Sequence, residues 1–192
     1  MRVVLATHNH HKVDEVRQIA PDIEWVTLAD LGFTEDPPET GATFAANALQ
    51  KARFVYERAG ATALADDSGL EVDGLGGAPG VHSKRFSPEE TAEANNALLL
   101  ARLTPGLDRT ARFRCALAVV GPGGEGVVEG ACPGAIATAP RGANGFGYDP
   151  LFLPDESPGR TMAELSPAEK HAISHRGRAF AQLAALLSRV GS

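Results

Sequence analysis

The chain has 192 residues, 43% of them hydrophobic, and a formal net charge of −6. That length and apolar share allow a well-buried core and exclude a disordered or membrane-embedded chain. The negative charge argues against a nucleic-acid partner, because duplex binding rests on Lys and Arg neutralising phosphates, but it leaves room for a small anion held by a local basic cluster.

Residues 2–7 are a short β-branched and apolar run, which predicts a buried first strand. The opening MRVVLATHN is too short an apolar run for a signal peptide. No later window has the length of a transmembrane helix, so a cytoplasmic protein with no membrane partner is expected. The polar turn Thr7-His8-Asn9-His10-His11-Lys12 follows. A helix then carries Val13, Val16 and Ile19 at helical spacing and closes at Pro21. A strand, a polar turn and a helix N-terminus make a natural anion site, because free backbone N–H groups point outward there, and Lys12 adds a point charge. There is no Walker or dinucleotide glycine pattern. The three histidines crowd one turn with no Cys or carboxylate at ligand spacing, which favours solvated loop residues over metal ligands.

Residues 24–28 read as a second strand and 29–42 as a loop. Residues 43–59 read as a helix: Phe44, Ala45, Ala48, Leu49, Ala52, Val55 and Tyr56 share a face, and Gly60 is a C-terminal stop. Asn47 and Lys51 lie four apart and so share a face with each other. Glu39, just ahead, is either a first-turn acid answering the helix dipole or a metal ligand.

The stretch at residues 64–83, LADDSGLEVDGLGGAPGVHS, organises the chain. A strand over 61–65 turns into Asp66 and Asp67, then Ser68 and Gly69, a short apolar run at Leu70 and Val72, and a glycine-rich loop. This predicts a sheet presenting carboxylates at its edge. Hard oxygen ligands there suit Mg²⁺; an acidic surface turn is the alternative. Alternation along an extended segment puts Asp66 and Asp67 on different sides, so one can bind a metal while the other supports it.

Ser87-Pro88-Glu89-Glu90 reads as a capping box opening a helix over about 88–103. Residues 112–120 alternate as a half-buried strand should, with Phe113, Cys115, Leu117 and Val119 on one face. Residues 127–138 return as its antiparallel partner after a turn at 121–124. Cys115 and Cys132 are too few for a disulfide framework or a four-ligand zinc site and read as buried thiols. The loop 140–150 suspends Phe146, Tyr148 and Asp149 between glycines. Those aromatics either stack on a purine or pack under the loop. Residues 151–153 are a short strand. Ser166-Pro167-Ala168-Glu169 is a second capping box, Ser174 caps a further helix after a kink, and Phe180, Leu183, Leu186, Leu187 and Val190 make a closing apolar face. No linker or repeat appears, so residues 1–192 read as a single domain.

Five blocks then converge: THNHHK at 7–12, ETGATFAANALQKA at 39–52, ADDSGLEVDGLGGAPGVHS at 65–83, GFGYDPLF at 145–152 and AELSPAEKHAISHRGRA at 163–179. In this order they resemble the non-canonical purine nucleoside triphosphate pyrophosphatases, the inosine/xanthosine triphosphate pyrophosphatase family. The departure is His11, where members often carry glycine before the lysine. The resemblance implies an α/β protein with an elongated, twisted mixed β-sheet, flanking helices and two lobes with the active-site cleft between them. It also implies a homodimer and Mg²⁺-dependent hydrolysis of ITP, dITP and XTP to the monophosphate and pyrophosphate.

Carried over position by position, Asp67 is the catalytic base and a metal ligand, and Glu39 the other ligand. Thr7, His8, Asn9, His10, His11, Lys12 and Ser68 face the triphosphate. Phe146, Gly147, Tyr148, Asp149, Lys170, His175 and Arg176 form the base pocket. Asn47, Lys51 and Asp66 are supporting candidates. A Maf-type pyrophosphatase would share the chemistry, but the Ser174-His175-Arg176 block and the GFGYD loop argue against it. Intact Glu39 and Asp67 argue against a non-catalytic nucleotide sensor.

Overall fold

The computed structural model describes residues 1–190 of the chain. The strands are β1 (Arg2–Leu5), β2 (Glu24–Thr27), β3 (Ala63–Val72), β4 (Thr110–Gly121), β5 (Gly124–Ile136) and β6 (Phe152–Pro154). The helices are α1 (His10–Ile19), α2 (Phe44–Ala59), α3 (Ala92–Arg102), α4 (Pro167–Ile173), α5 (His175–Phe180) and α6 (Leu183–Val190). The strands form one mixed, open sheet in the order β2-β1-β3-β4-β5-β6, flanked by the helices. β1 runs parallel to β2 and β3, and β5 runs antiparallel to β6. Val3, Val4 and Leu5 are all buried, as the strands of a parallel sheet covered on both faces are. Among the described residues no helix is long and apolar enough to cross a membrane.

The chain divides into two compact units. Among the described residues the first comprises 1–67, 115–130 and 177–190, the second 68–114 and 131–176. The first unit packs Val3, Leu5, Val16, Leu64, Leu117, Val119, Phe180 and Leu186 into one apolar cluster. The second has its own cluster, with Leu70, Val72, Leu99, Phe113, Ile136, Tyr148, Phe152 and Met162. Residues 67 and 68, consecutive in β3, fall in different units.

Three local expectations change. β3 does not stop at the acids. It continues through Asp66 and Asp67 to Val72, in an inner strand rather than at an edge, so neither the edge placement nor the surface turn holds. A strand can carry two buried carboxylates there because lysines distant in sequence reach both. The helix expected from Pro88 begins a turn later, at Ala92. Glu90 takes a left-handed φ of 53° that interrupts any helix, and Thr91 is the working cap, its hydroxyl accepting from the Ala94 amide at 3.2 Å. In β4, burial alternates only over residues 110–114; from Cys115 to Gly121 every residue is buried. The run CALAVV lets both faces of that half be covered.

α2 follows its sequence signals. Thr43 caps it and Gly60 ends it at φ 61°. Its buried stripe includes Asn47 and Lys51 among apolar residues. Polar side chains buried at i and i+4 need partners, and these two have them at the site.

Candidate active site

In the first unit, β3 and α2 bring carboxylates and ammonium groups together. Lys51 Nζ donates to Glu39 Oε1 at 2.6 Å, to Asp67 Oδ1 at 3.0 Å and to the Asp66 carbonyl at 2.8 Å. Lys12 Nζ lies 2.5 Å from Asp66 Oδ1 and donates to the Asp66 carbonyl at 3.3 Å. The Cys115 thiol donates to Asp66 Oδ2 at 3.2 Å. The neighbouring carboxylates thus have different partners. Asp66 is held by Lys12 and Cys115, and Asp67 shares Lys51 with Glu39.

Electrostatics separate these groups further. Burial pushes the Asp67 carboxyl above its ordinary range, against the pull of Lys51 and Lys12. Burial also works against the charge on Lys51, but Asp67 and Glu39 outweigh it and leave the ammonium above its ordinary value. Asp67 Oδ2 is buried with no hydrogen-bond partner.

Glu39 sits on a short segment tied to α2 by two amide side chains. The Thr40 amide donates to Gln50 Oε1 at 2.9 Å, and the Gly41 amide to Asn47 Oδ1 at 2.7 Å. A Cβ on Gly41 would lie 2.8 Å from that same Asn47 oxygen, so the close approach requires glycine. Asn47 therefore fixes the path of the backbone that presents Glu39. Gln50 does the same and was not singled out from sequence, although it lies within the 39–52 block.

The loop at 7–12 behaves differently from a bare anion site. Asn9 caps α1, its Oδ1 accepting from the His11 and Lys12 amides at 3.0 and 3.4 Å, and the Asn9 amide donates to Thr7 Oγ1 at 3.1 Å. Two of the free amides expected there thus already have a partner. His8 Nε2 lies 3.2 Å from the Glu35 carbonyl. His10 and His11 are exposed in the first turn of α1.

The second unit assembles rings and cations. Asp149 Oδ2 accepts from the Phe146 amide at 2.8 Å and from Lys170 Nζ at 2.7 Å. Gly145 adopts φ 74°, and a Cβ there would fall 2.1 Å from Asp149 Oδ2, so only glycine lets that carboxylate close on the loop. The Phe146 ring lies 5.0 Å from Lys170 Nζ and 5.8 Å from the Arg176 guanidinium carbon. Arg176 donates to Ser68 Oγ at 2.9 Å. His175 stacks on Phe113, with centroids 4.8 Å apart and an interplanar angle of 18°. Lys170, His175 and Arg176 are all buried. Tyr148 settles into the core and donates to the Ser83 carbonyl at 2.8 Å; burial alone raises its phenol pKa. Packing under the loop describes Tyr148, whereas Phe146 is only part-buried beside two cations. Sequence marks Phe113 and Cys115 as core positions only; their alternation on β4 carries no signal of contact with the site.

A model of the Ham1 family matches residues 3–186. The chain belongs to the Ham1 family. It is 52% identical to the dITP/XTP pyrophosphatase of Frankia alni, over 99% of this chain and 98% of that protein. It is 49% identical to the protein of the same name from Mycolicibacterium paratuberculosis, over 93% and 91%. The Ham1 protein of Staphylococcus aureus superposes with a TM-score of 0.86 at 38% identity, covering 98% of each chain. The motif resemblance and the mixed sheet with flanking helices are borne out together. What the Ham1 membership leaves to chemistry is the job of each residue.

The donor set suits a hard divalent cation. Glu39 and Asp67 already share one cationic partner, and Asp67 Oδ2 has a lone pair free of hydrogen bonds. Carboxylate oxygens are the ligands such a hard cation takes, with phosphate oxygens and water able to fill its remaining positions.

Proposed function

We propose that this protein hydrolyses non-canonical purine nucleoside triphosphates, ITP, dITP and XTP, to the monophosphate and pyrophosphate, removing deaminated nucleotides from the pool. The observation that carries the reaction is Asp67: a buried carboxylate with one oxygen on the Lys51 ammonium and the other without a hydrogen-bond partner. The names of the relatives support the substrate class.

Hydrolysis between the α- and β-phosphates needs a deprotonated water aligned on phosphorus and neutralised charge on the polyanion. Asp67 is placed to accept the proton of the attacking water. Its raised affinity for protons makes it a better base than a solvated aspartate, and such help is typically worth about 10²–10⁴-fold. The water oxygen bonds to the α-phosphorus, the bond to the bridging oxygen breaks, and pyrophosphate leaves. Glu39 and Asp67 would hold Mg²⁺, which when bound supplies positive charge to the phosphates and acidifies a bound water. Lys51 and Lys12 carry fixed positive charge beside these carboxylates, and Asp66 orients Lys12. Thr7, Asn9 and the histidines from His8 to His11 line the polar turn at the start of α1, where the triphosphate is proposed to bind.

The second cluster reads the base. Hypoxanthine and xanthine carry an oxygen at C6 where adenine carries an amine. Lys170, His175 and Arg176 are donors; they favour that oxygen and oppose the amine of adenine. A mispaired polar group rejects the wrong ligand strongly. Phe146 offers a ring face to the purine, and Gly147 and Asp149 hold that ring in place. Ser68, which accepts from Arg176, joins the base-reading residues to the strand that carries Asp67. The chain is proposed to act as one domain, as a homodimer, in the cytoplasm. Its test is a nucleotide panel with Mg²⁺, scoring pyrophosphate against orthophosphate. Pyrophosphate from ITP and XTP well ahead of ATP is expected; orthophosphate released equally from every nucleotide would overturn the reading.

A further inference from the structure

Helix α3 lies outside every sequence block, yet it carries two consecutive asparagines whose side chains both hold backbone. Asn95 accepts from the Ser87 amide at 2.7 Å and donates to the Lys84 and Ser83 carbonyls at 3.0 and 3.4 Å. The Ser83 carbonyl also receives the Tyr148 hydroxyl at 2.8 Å. Asn96 Nδ2 donates to the Gly147 carbonyl at 3.0 Å. Residue 148 is therefore tied to the segment that Asn95 clamps, and residue 147 is tied to α3 directly.

The other end of the same short loop is held by different chemistry, the Asp149 carboxylate gripping the Phe146 amide and Lys170. Phe146 thus sits between two latches, Asp149 on its own amide and Asn96 on the carbonyl of the next residue. The Asn96 amide also leaves Oδ1 buried without a hydrogen-bond partner. A buried unmet acceptor is unfavourable, and a leucine of the same branching would avoid it. Only the bond to Gly147 is gained in exchange.

We infer that Asn96 is a positioning residue for base recognition: by fixing the Gly147 carbonyl it sets the Phe146 ring against Lys170 and Arg176, and so tunes affinity for the purine without touching the phosphates. The inference rests on the function proposed above. Asn96 makes no contact with substrate; it acts through the loop. Its loss loosens one end of that loop and leaves the Asp67 cluster intact.

The test is steady-state kinetics of N96A, N96L and N96D with ITP and ATP, beside wild type, with melting temperature measured for each. N96L keeps the branched side-chain shape without the hydrogen bond, and its melting temperature separates a lost hydrogen bond from a lost fold. N96D sets a carboxylate against a carbonyl. Removing the bond in N96A or N96L raises KM for ITP about fivefold, with kcat within about twofold of wild type and a smaller ITP-over-ATP preference. N96D is the most affected. Wild-type KM and preference in N96L, or a fall in kcat with KM unchanged, would overturn the inference. Wild-type protein releasing no pyrophosphate from ITP would instead remove the functional reading, and this inference with it.

Discussion

The two clusters are built from different materials. In the first unit, Glu39, Asp66 and Asp67 are matched against Lys12 and Lys51, and no aromatic ring takes part in these contacts. In the second, one carboxylate, Asp149, stands among Phe113, Phe146, His175, Lys170 and Arg176, with ring faces turned to cations or to another ring. Buried charge of both signs suits a polyanion and its metal, because charge must be met by charge in a place that water leaves. Rings and forked donors suit a flat heterocycle with a few edge groups. The difference implies that catalytic rate and base preference can be changed separately.

Asp67→Asn is the largest expected break. It removes the base and one metal ligand while keeping shape, so kcat for ITP falls about 10³-fold with the melting temperature nearly kept. Pyrophosphate release and a thermal melt check it. A related signature is the acid limb of the wild-type pH–rate profile. Asp67 must be deprotonated to act, and burial raises it above 3.8. In the metal-free protein Asp67 therefore takes up its proton at a higher pH than a free aspartate does, and bound Mg²⁺ would shift the acid limb of activity down from that point.

Arg176→Lys should act on the other side of the comparison. Lysine keeps the charge but not the fork that reaches Ser68, so the ITP-over-ATP preference drops about tenfold with kcat less affected. Competing-substrate assays measure this. A uniform loss for both nucleotides would instead place Arg176 with the phosphates.

Gly145→Ala forces a Cβ into the Asp149 carboxylate at a left-handed backbone position. A loss of about 1–2 kcal/mol in urea unfolding is expected. KM for ITP should also rise, as the Phe146 amide loses its partner.

The smallest effect is at a cap outside both clusters. Glu169 closes the Ser166 capping box, and the Ser166 amide and hydroxyl, then Arg160, hold its carboxyl down to about 2. The native state therefore releases this proton more readily than the unfolded chain, where a glutamate sits near 4.5. Its contribution is full above that value and is lost as pH falls towards about 2. Glu169→Gln is accordingly slightly less stable than wild type at neutral pH, and the gap closes in acid melts, with selectivity unchanged.

Much of this was legible in the chain itself. The apolar run before Thr7, the cap and stop of α2 at Thr43 and Gly60, and the Ser166 box are local signals, and local physics obeyed them. Apart from Phe113 and Cys115, the residues brought to the two clusters were present in the five blocks. What could not be read was long-range pairing. Asp66 and Asp67 look like a turn because nothing near them in sequence answers their charge, yet Lys12 and Lys51 lie 54 and 15 residues from Asp66 and let the strand run on. The Cys115 thiol on Asp66 is invisible for the same reason. Ser87 resembles a cap, but its hydroxyl is buried without a partner, and the backbone at Glu90 passes that role to Thr91.

The division of labour is tested most directly by the ratio of kcat/KM for ITP to that for ATP in Asp67→Asn. If Asp67 serves only the phosphates, both values fall together by about 10³-fold and the ratio stays that of wild type. A ratio that collapses towards one, or turnover that persists at the wild-type rate, would contradict the account.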